Sequence, residues 1–286
     1  MGPSTTRGSR ARRPIGTAAP AFVLKLGGEL LEQPRDLVRI ARGIVALAKK
    51  SALVVVHGGG REIDAALAGA GIPKQQVDGL RITDARTLDV VVSVLAGAIN
   101  TRLVAAVRAQ GGRPVGLTGA DESVAVVKRA APMLSTRGEK VDLGLVGTPT
   151  RSGAPQLLFD LLDRGYTPVI ACIGSTKNGQ LLNVNADTLA SHLASALGAR
   201  RLVIAGGTAG VLNEAGRTIG RLTHAEAGRL IKTGAANKGM IAKLEACRAA
   251  VRNGVGDVMI ANGRDVRFEA LADLRAELAG CTHVVK

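Results

Sequence analysis

The feature that most constrains the fold is a regular alternation of short apolar runs with segments of helical periodicity. Residues 21–26 form an apolar run that stops at Gly27-Gly28, an apolar period over 37–48 follows behind Asp36 as a possible helix cap, and residues 53–56 form the next apolar run. Runs of this length bounded by glycine are typical of buried strands, and apolar residues spaced by three and four are typical of a helix with one apolar face. The first part of the chain therefore predicts a strand–helix–strand unit.

The same alternation continues toward the end of the chain. It predicts helices over 88–99, 157–164, 187–197, 225–231 and 240–252, and strands over 114–117, 169–173, 202–205 and 258–261. Residues 124–146 follow neither period and are expected to form an antiparallel ribbon. Strands joined through helices pair in parallel, so the predicted fold class is α/β, an open, mainly parallel sheet sandwiched by helices. Such sheets bind ligands at the carboxyl ends of their strands, which directs attention to the residues just after each strand.

The charge balance favours small anionic ligands as partners and argues against nucleic acid. The chain has 38 Lys and Arg against 23 Asp and Glu, a formal net charge of +15, but only one Tyr, three Phe and no Trp to stack on bases. Nucleotides and carboxylates suit such a charge. No uninterrupted apolar run approaches the roughly 18 residues of a membrane helix, so no membrane segment is expected. The three Cys and four His show no ligand spacing, so no protein metal site is expected.

Residues 1–20 differ in composition from the rest of the chain. They are rich in Gly, Pro, Ser, Thr and Arg and contain no acidic residue, which predicts a disordered basic leader. No secretory signal is present, so the expected location is the cytoplasm. Because Arg- and Ser-rich segments without acids are also typical of transit peptides, import into an organelle stays open as an alternative.

Two glycine-rich turns follow consecutive predicted strands. Lys25-Leu-Gly-Gly closes the first strand and His57-Gly-Gly-Gly closes the second. Glycines allow several backbone N–H groups to approach an anion, and the helix N-terminus behind each turn adds a favourable potential. Gly174 and Gly179 have the spacing of a P-loop but lack the Lys and Ser/Thr that complete it. The two turns, with Lys25 beside the first, predict a site for phosphate or carboxylate, and His57 is expected to be a buried structural histidine.

Three further polar clusters have ordinary structural explanations when each is taken alone. Asn183, Asn185 and Asp187 alternate where the chain enters a predicted helix, as a helix cap and turn would. Lys243 lies in the first turns of a helix behind Gly239, where a lysine is usually solvated. Arg81 lies in a predicted loop, from which a guanidinium can bind a carboxylate through two hydrogen bonds.

Taken together and in this order, the clusters resemble the amino-acid kinase family, and within it the members that act on N-acetyl-L-glutamate. The resemblance runs from about residue 22 to the end and is carried by KLGG at 25–28, HGGG at 57–60, GLRIT at 79–83, LAGAIN at 95–100, GQLLNVNAD at 179–187 and KGMIAK at 238–243. It implies transfer of the γ-phosphoryl group of ATP to the side-chain carboxylate of N-acetyl-L-glutamate, a step of arginine biosynthesis. Mg²⁺ is expected on the nucleotide phosphates.

The resemblance also implies a role for each site residue. Lys25 and Lys243 would stabilise the transition state, and Asp187 would orient both lysines. The implied substrate-binding residues are Gly27, Gly28, Gly59 and Gly60 through their N–H groups, Arg81 on the α-carboxylate and Asn183 on the acetylamino end. The implied nucleotide-binding residues are Gly207, Thr208, Gly210, Ala236, Asn237 and Gly239. These residue types suit the reaction, because phosphoryl transfer between two anions requires positioning and cationic stabilisation.

The family pattern further implies two lobes and a homodimer. Residues 21–195 would bind the amino-acid substrate and mediate dimerisation, and residues 196–286 would bind ATP. A homodimer with little inhibition by arginine is expected, because Pro3, Pro14 and Pro20 interrupt the segment in which arginine-sensing members carry a continuous helix.

Two departures from the family pattern keep alternatives open. Gly206-Gly207-Thr208 stands where members often carry an aspartate that contacts the nucleotide, and KGMIA precedes Lys243 where a segment with proline is commoner. Because of the missing aspartate, one alternative to an active kinase is a catalytically weak regulatory or scaffold homologue. An aminoadipate-type kinase of the same family is the other alternative, although HGGG and NVNAD favour acetylglutamate.

Overall fold

The apolar runs of the sequence lie side by side in one eight-stranded sheet. The computed structural model describes residues 21–135, 137–150, 155–234, 236, 238–273 and 278–286. Strands and helices are numbered in chain order. Across the sheet the strands are β14 (Arg221–Thr223), β16 (Cys281–Val285), β15 (Asp257–Asn262), β13 (Arg201–Gly206), β1 (Phe22–Leu26), β2 (Leu53–His57), β10 (Thr167–Ala171) and β5 (Pro114–Thr118).

The sheet is mainly parallel and is covered on both faces. Every neighbouring pair is parallel except β15 and β16, which run antiparallel. All residues of β1, β2, β10 and β13 are buried, so helices cover both faces of the central strands. The predicted α/β class is confirmed, and β1 and β13 are neighbours at the middle of the sheet.

Eight α-helices occur in the part of the chain that the structure describes. They are α1 (Pro34–Ala48), α2 (Gly60–Gly69), α3 (Ala85–Val92), α4 (Asn100–Ala109), α5 (Gln156–Asp163), α6 (Ala186–Ala196), α7 (His224–Lys232) and α8 (Lys238–Arg252). Short 3-10 turns cover Gly28–Leu30, Asp121–Ser123 and Phe268–Ala272. The expected cap at Asp36 is wrong: Gln33 is the N-cap of α1, and Asp36 lies in its first turn. The helix begins earlier because Pro34 is preorganised for a first helical position.

A π-helical segment, Ser93–Ile99, joins α3 to α4 into one long helix. The sequence predicted the helix over 88–99, but it begins at Ala85, where the Asp84 carboxylate accepts the Thr87 N–H at 2.7 Å, and it continues to Ala109. Leu88, Val91, Leu95 and Ile99 are buried as the apolar spacing predicted.

By length and composition, the helix Ala85–Ala109 is long and apolar enough to cross a membrane. Its most apolar 18-residue window has a mean hydropathy of 1.9, and 33% of that window is buried in the protein. The sequence prediction missed this stretch because Asp89 and Arg102 interrupt the apolar run. Core helices pass the same test, and one face of this helix packs on the sheet, so the finding is weak evidence for a membrane segment.

The expected antiparallel ribbon over 124–146 is confirmed and belongs to smaller sheets. One has the order β11 (Ile173–Ser175), β12 (Leu181–Val184), β9 (Val146–Pro149) and β6 (Val127–Arg129). Two hairpins pair β3 (Gln76–Val77) with β4 (Leu80–Arg81) and β7 (Met133–Leu134) with β8 (Lys140–Val141). The predicted strand 169–173 is divided, because at Cys172 the chain leaves the central sheet, and the Cys172 carbonyl accepts the Val184 N–H at 3.0 Å. This exit brings β12, and Asn183 on it, to the end of the central sheet.

Candidate active site

The two glycine turns lie side by side because their strands are neighbours. Leu26 pairs with His57 in the parallel register, and the Gly58 N–H donates to the Leu26 carbonyl at 3.0 Å. A Cβ built on Gly28 would lie 2.6 Å from the Cα of Gly59, closer than real Cβ contacts allow. The first turn also contacts the other half of the sheet, because the Gly27 N–H donates to the Ala205 carbonyl at 2.8 Å. The sheet therefore gathers the two glycine turns at one edge. The expectation that the Gly27 N–H binds the substrate is wrong, because this donor is already bonded to β13.

Three charged side chains from three separate elements meet beside these turns. Lys25 is the next-to-last residue of β1, Asp187 lies in the first turn of α6, and Lys243 lies on α8. The Lys25 Nζ forms an ion pair with Asp187 Oδ1 at 2.8 Å, and the Lys243 Nζ donates to Asp187 Oδ2 at 3.4 Å. The structure thus brings together all three predicted catalytic residues.

Burial and opposite charge act against each other in this triad. Lys25 and Asp187 are each 5% exposed, and such burial disfavours a charged form. For Asp187 that effect is outweighed by Lys25 and Lys243, which hold the pKa of its carboxyl below the usual value. For Lys25 it is outweighed by Asp187, which holds the pKa of its ammonium above the usual value. Asp187 and Lys25 are therefore both in their charged forms at neutral pH.

Asn185 caps α6, which agrees with the helix cap and turn that the sequence predicted for this cluster. Its Oδ1 accepts the N–H groups of Asp187 at 2.9 Å and of Thr188 at 3.0 Å, so Asn185 is the N-cap of α6. The cap fixes where the helix begins and so fixes the position of Asp187 between the two lysines.

Arg81 is buried on a strand and not in an open loop as the sequence suggested. It ends β4 and is 9% exposed, because its guanidinium is paired with the carboxylate of Asp64 on α2. Asp64 also accepts from Lys74 at 2.6 Å. The Arg81 Nη2 lies 3.4 Å from the Gly60 carbonyl, and its buried Nη1 has no hydrogen-bond partner among the described residues. A buried donor without a partner is costly unless a ligand accepts from it.

Asn183 is connected to Arg81 by hydrogen bonds through Thr83. The Asn183 Nδ2 donates to Thr83 Oγ1 at 3.2 Å, and Thr83 Oγ1 in turn donates to the Arg81 carbonyl at 3.3 Å. Thr83 is fully buried. The sequence missed Asp64 and Thr83. Two sequence features could have indicated them: Asp64 is an acid one helical turn after Gly60, and Thr83 carries a hydroxyl two residues after Arg81.

A cleft of about 510 Å³ joins the glycine turns to the second half of the sheet. It is lined by Glu29, Gly60, Arg61, Asp64, Gly207, Thr208, Gly239, Met240, Lys243 and Arg264. Three of the predicted nucleotide residues, Gly207, Thr208 and Gly239, thus share a cleft with Lys243.

The other predicted nucleotide residues do not line this cleft where the structure describes them. Gly210 makes a left-handed turn (φ 59°) against Thr282 and Thr218, and Ala236 is buried. Asn237 lies outside the described residues. A separate groove of about 750 Å³ lies between α1 and residues 264–269 and contains none of the predicted site residues.

The Glu29 side chain lies beside Gly206 and Gly207, where family members often carry an aspartate and this chain does not. Its Oε1 accepts the Gly207 N–H at 2.9 Å, and it would lie 3.3 Å from a Cβ built on Gly206. A carboxylate is therefore present at this end of β13, but it comes from the turn after β1. Sequence analysis missed it because Glu29 is 177 positions before Gly206.

His57 is buried at the end of β2, as the sequence predicted. It has no exposed surface, and burial lowers the pKa of its imidazole to about 4, with a smaller contribution from the charge of Arg102. Its Nε2 lies 3.0 Å from Asn100 Nδ2, at the start of α4.

Comparison with known proteins agrees with this geometry. Residues 20–262 match the model of the amino acid kinase family. The chain is 43% identical over 259 residues to an acetylglutamate kinase of Sorangium cellulosum, covering 88% of this chain and 90% of that one, and 40% identical over 270 residues to one of Parvibaculum lavamentivorans, covering 92% and 88%.

The fold is also similar to that of a solved structure. N-acetylglutamate synthase from Neisseria gonorrhoeae, complexed with coenzyme A and N-acetyl-glutamate, aligns with a TM-score of 0.78 at 24% identity, over 93% of this chain and 59% of that one. The match of the family model over most of the chain, together with the lysines and glycine turns at one sheet edge, establishes that this chain belongs to the amino acid kinase family.

Proposed function

We propose that the protein is a kinase that transfers the γ-phosphoryl group of ATP to the side-chain carboxylate of N-acetyl-L-glutamate in arginine biosynthesis. The product is N-acetyl-L-glutamyl 5-phosphate. The observation that carries the proposal is the convergence of Lys25, Asp187 and Lys243 beside the paired glycine turns. The relatives named above, at 43% and 40% identity over most of the chain, support the choice of substrate.

The site performs this reaction by neutralising charge. A carboxylate oxygen attacks the γ-phosphorus as the bond to the β-phosphate oxygen breaks, and negative charge spreads over the phosphoryl oxygens. Lys25 and Lys243 lie on the two sides of Asp187 and would each donate to these oxygens, while Asp187 holds both ammonium groups in place. The N–H groups of Gly28, Gly59 and Gly60 would add neutral donors that need no reorganisation. No general base is required, because the attacking carboxylate is already ionised at neutral pH.

Arg81 and Asn183 would hold the other end of the amino-acid substrate. We assign the unpartnered Nη1 of Arg81 to the α-carboxylate and Asn183 to the acetylamino group. The pairing of Arg81 with Asp64 supports this assignment, because it holds the guanidinium in one orientation before the substrate arrives.

The nucleotide would occupy the cleft between Lys243 and Gly207-Thr208. Gly210, Ala236 and Asn237 are proposed to contact the nucleotide outside this cleft. The protein carboxylates at the cleft do not fit a resident metal. Asp187 is paired with two lysines, and Asp64 is paired with Arg81 and Lys74. Glu29, the other acid that lines the cleft, accepts the Gly207 N–H. No group of three or more His, Cys, Asp or Glu that could hold a metal ion occurs among the described residues. Mg²⁺ is therefore proposed to enter on the ATP phosphates.

The two substrates are assigned to two lobes that meet within the central sheet. We propose that residues 21–195 bind the amino-acid substrate and mediate dimerisation, and that residues 196–286 bind ATP, with the boundary between β1 and β13. The protein would act in the cytoplasm. The predicted leader or transit segment, residues 1–20, lies outside the residues that the structure describes.

A homodimer is proposed from the long helix Ala85–Ala109. Gly97, Ala98 and Ala105 are exposed, and Val90 and Val94 are half-buried against the core, so a stripe of small and apolar residues extends beyond the buried face of this helix. A second copy packing on this stripe would remove apolar surface from water. Light scattering of the purified protein tests the dimer.

The decisive experiment on function is an ATP-dependent hydroxamate assay, which traps acyl phosphates. N-acetyl-L-glutamate, glutamate, aspartate and N-acetylaminoadipate are compared at equal concentration. The proposal requires the highest kcat/KM for N-acetyl-L-glutamate. A preference for the aminoadipate derivative would favour that alternative, and no product from any substrate would favour the regulatory or scaffold alternative.

A further inference from the structure

His57 and Asn100 form a buried polar pair directly behind the second glycine turn. His57 has no exposed surface, Asn100 is 5% exposed, and neither residue lines the cleft. Polar groups buried to this extent are retained only when their hydrogen bonds are made. Each bond of this pair can be traced to an atom of the glycine turn or of the central sheet.

The contacts of Asn100 determine which histidine nitrogen carries the proton. The Asn100 Nδ2 lies 2.9 Å from the Val169 carbonyl of β10, and a carbonyl can only accept, so this atom is the amide nitrogen. The second hydrogen on the same nitrogen points to His57 Nε2 at 3.0 Å, so Nε2 accepts. The neutral ring therefore carries its proton on Nδ1, which donates to the Gly58 carbonyl at 3.2 Å.

The Gly58 carbonyl belongs to the same planar peptide group as the Gly59 N–H. No cis peptide bond occurs in the described residues, so the Gly59 N–H points away from the ring when the carbonyl points toward it. The Gly58 N–H is already bound to the Leu26 carbonyl at 3.0 Å. The turn is thus held at Gly58 on both sides, by β1 through its N–H and by His57 through its carbonyl.

Glycine turns need such external restraints, because glycine has the largest conformational freedom of any residue. The π-helical segment provides a second restraint, since Leu95 and Ile99 pack where a Cβ on Gly59 would lie. Asn100 follows that segment directly, so a single stretch of chain supplies both the packing and the hydrogen bond.

We infer that His57 and Asn100 are positioning residues, which hold the Gly58–Gly59 peptide plane so that the amides of Gly59 and Gly60 stay aimed at the oxygens of the reacting groups. The inference rests on the proposed function, in which those amides contact the phosphoryl and carboxylate oxygens. The low pKa of His57, about 4, agrees with a ring that stays neutral and keeps one tautomer over the working pH range.

Two substitutions at one position separate positioning from packing. In His57→Asn the amide nitrogen takes about the place of Nδ1 and keeps a donor for the Gly58 carbonyl, whereas His57→Leu fills a similar volume without a donor. We expect His57→Leu to lower kcat by roughly 10- to 100-fold with little change in either KM, because displacement of catalytic groups by about 1 Å costs rates of this order. His57→Asn should recover most of the loss. His192→Leu, on α6 outside the site, is the control and should keep wild-type kcat.

The outcomes are separated by measuring melting temperature and kcat on the same samples. A His57→Leu protein with wild-type kcat and only a lower melting temperature would overturn the inference, because the ring would then be structural only. Equal losses in His57→Asn and His57→Leu would also overturn it. The assays use whichever carboxylate substrate the wild type prefers, so a failure of the acetylglutamate proposal is seen first in the wild type.

If His57→Leu does not fold, the inference can still be tested by determining which ring nitrogen of His57 carries the proton in the wild-type protein. ¹⁵N shifts of the His57 ring in labelled, unsubstituted protein distinguish the two neutral forms. The inference requires the proton on Nδ1 from pH 6 to pH 9. The charge of the nearby Arg102 helps to keep the ring neutral over this range, because it lowers the pKa of His57. A proton on Nε2 would leave no donor for Gly58 and would contradict the inference without any activity measurement.

Discussion

The backbone of Gly28 contacts the backbone of Gly59, so that a Cβ on Gly28 would lie 2.6 Å from the Gly59 Cα and 2.9 Å from its nitrogen. This contact joins the two anion-binding turns into one surface. Neither neighbour can move aside easily, since the obstructing atoms are main chain and not the end of a flexible side chain.

Gly28→Ala should therefore separate the two turns. We expect kcat/KM to fall by roughly 100-fold or more, because N–H groups that are displaced by about 1 Å no longer match the transition state. The control is Gly69→Ala at the end of α2, where a Cβ meets nothing within 4 Å. Steady-state kinetics of the two variants check the expectation, and a Gly28→Ala enzyme as active as Gly69→Ala would contradict it.

Removal of either lysine of the triad should impair turnover more than binding. In Lys25→Ala or Lys243→Ala we expect kcat to fall by roughly 100-fold or more with small changes in KM, because the charge is needed most when the phosphoryl group is in transit. Lys140→Ala, at an exposed position on the β7–β8 hairpin, is the control. Near-normal turnover in either triad variant would show that the assigned role is wrong.

Arg81→Lys should mainly raise the KM for the amino-acid substrate. Lysine keeps the charge but loses the planar fork that matches a carboxylate, and the Nη1 donor disappears with it. The KM for ATP should barely change. Arg129→Lys tests the same exchange in an exposed pair with Asp142 and should leave both constants unaltered. An equal rise of both KM values in Arg81→Lys would place this arginine at a different part of the reaction.

The sequence departure at Gly206-Gly207 predicts weaker or less selective nucleotide binding, and the position of Glu29 adds a cause. The Glu29 carboxylate already accepts the Gly207 N–H at 2.9 Å, so a nucleotide phosphate must displace or approach a like charge there. We expect Glu29→Gln to lower the Kd for ATP by roughly 3- to 10-fold. Calorimetric titration of the wild type and Glu29→Gln with ATP and GTP measures both effects. Tight, ATP-selective binding by the wild type, weakened in Glu29→Gln, would mean that Glu29 supports the nucleotide.

The protein should be a homodimer that arginine inhibits little. Pro3, Pro14 and Pro20 oppose the continuous N-terminal helix expected of arginine-sensing relatives. Ala98→Glu would place a charge on the exposed small-residue stripe of the long helix and should yield monomers. Light scattering with and without arginine, together with activity over an arginine titration, checks both parts. A hexamer that arginine inhibits cooperatively would contradict the prediction.

Much of the fold was predictable because its signals are local. The apolar run before Gly27 and the helical spacing behind it depend on neighbours in the chain, and burial of every residue in β1 agrees with them. Element ends were less predictable. The long helix begins at Ala85 because Asp84 caps it, and it passes through a π-helical segment at Ser93–Ile99 that no periodicity indicates.

The sequence by itself determined the α/β class, the two glycine turns and the residue types that a phosphoryl-transfer site needs. Only the tertiary structure decided which of these residues meet. Asp187 contacts lysines that are 162 and 56 positions away, Glu29 accepts the Gly207 N–H, and Asp64 pairs with the Nη2 of Arg81. Such contacts depend on strand order and helix placement, which arise from packing the whole core, and no local pattern in the chain records them.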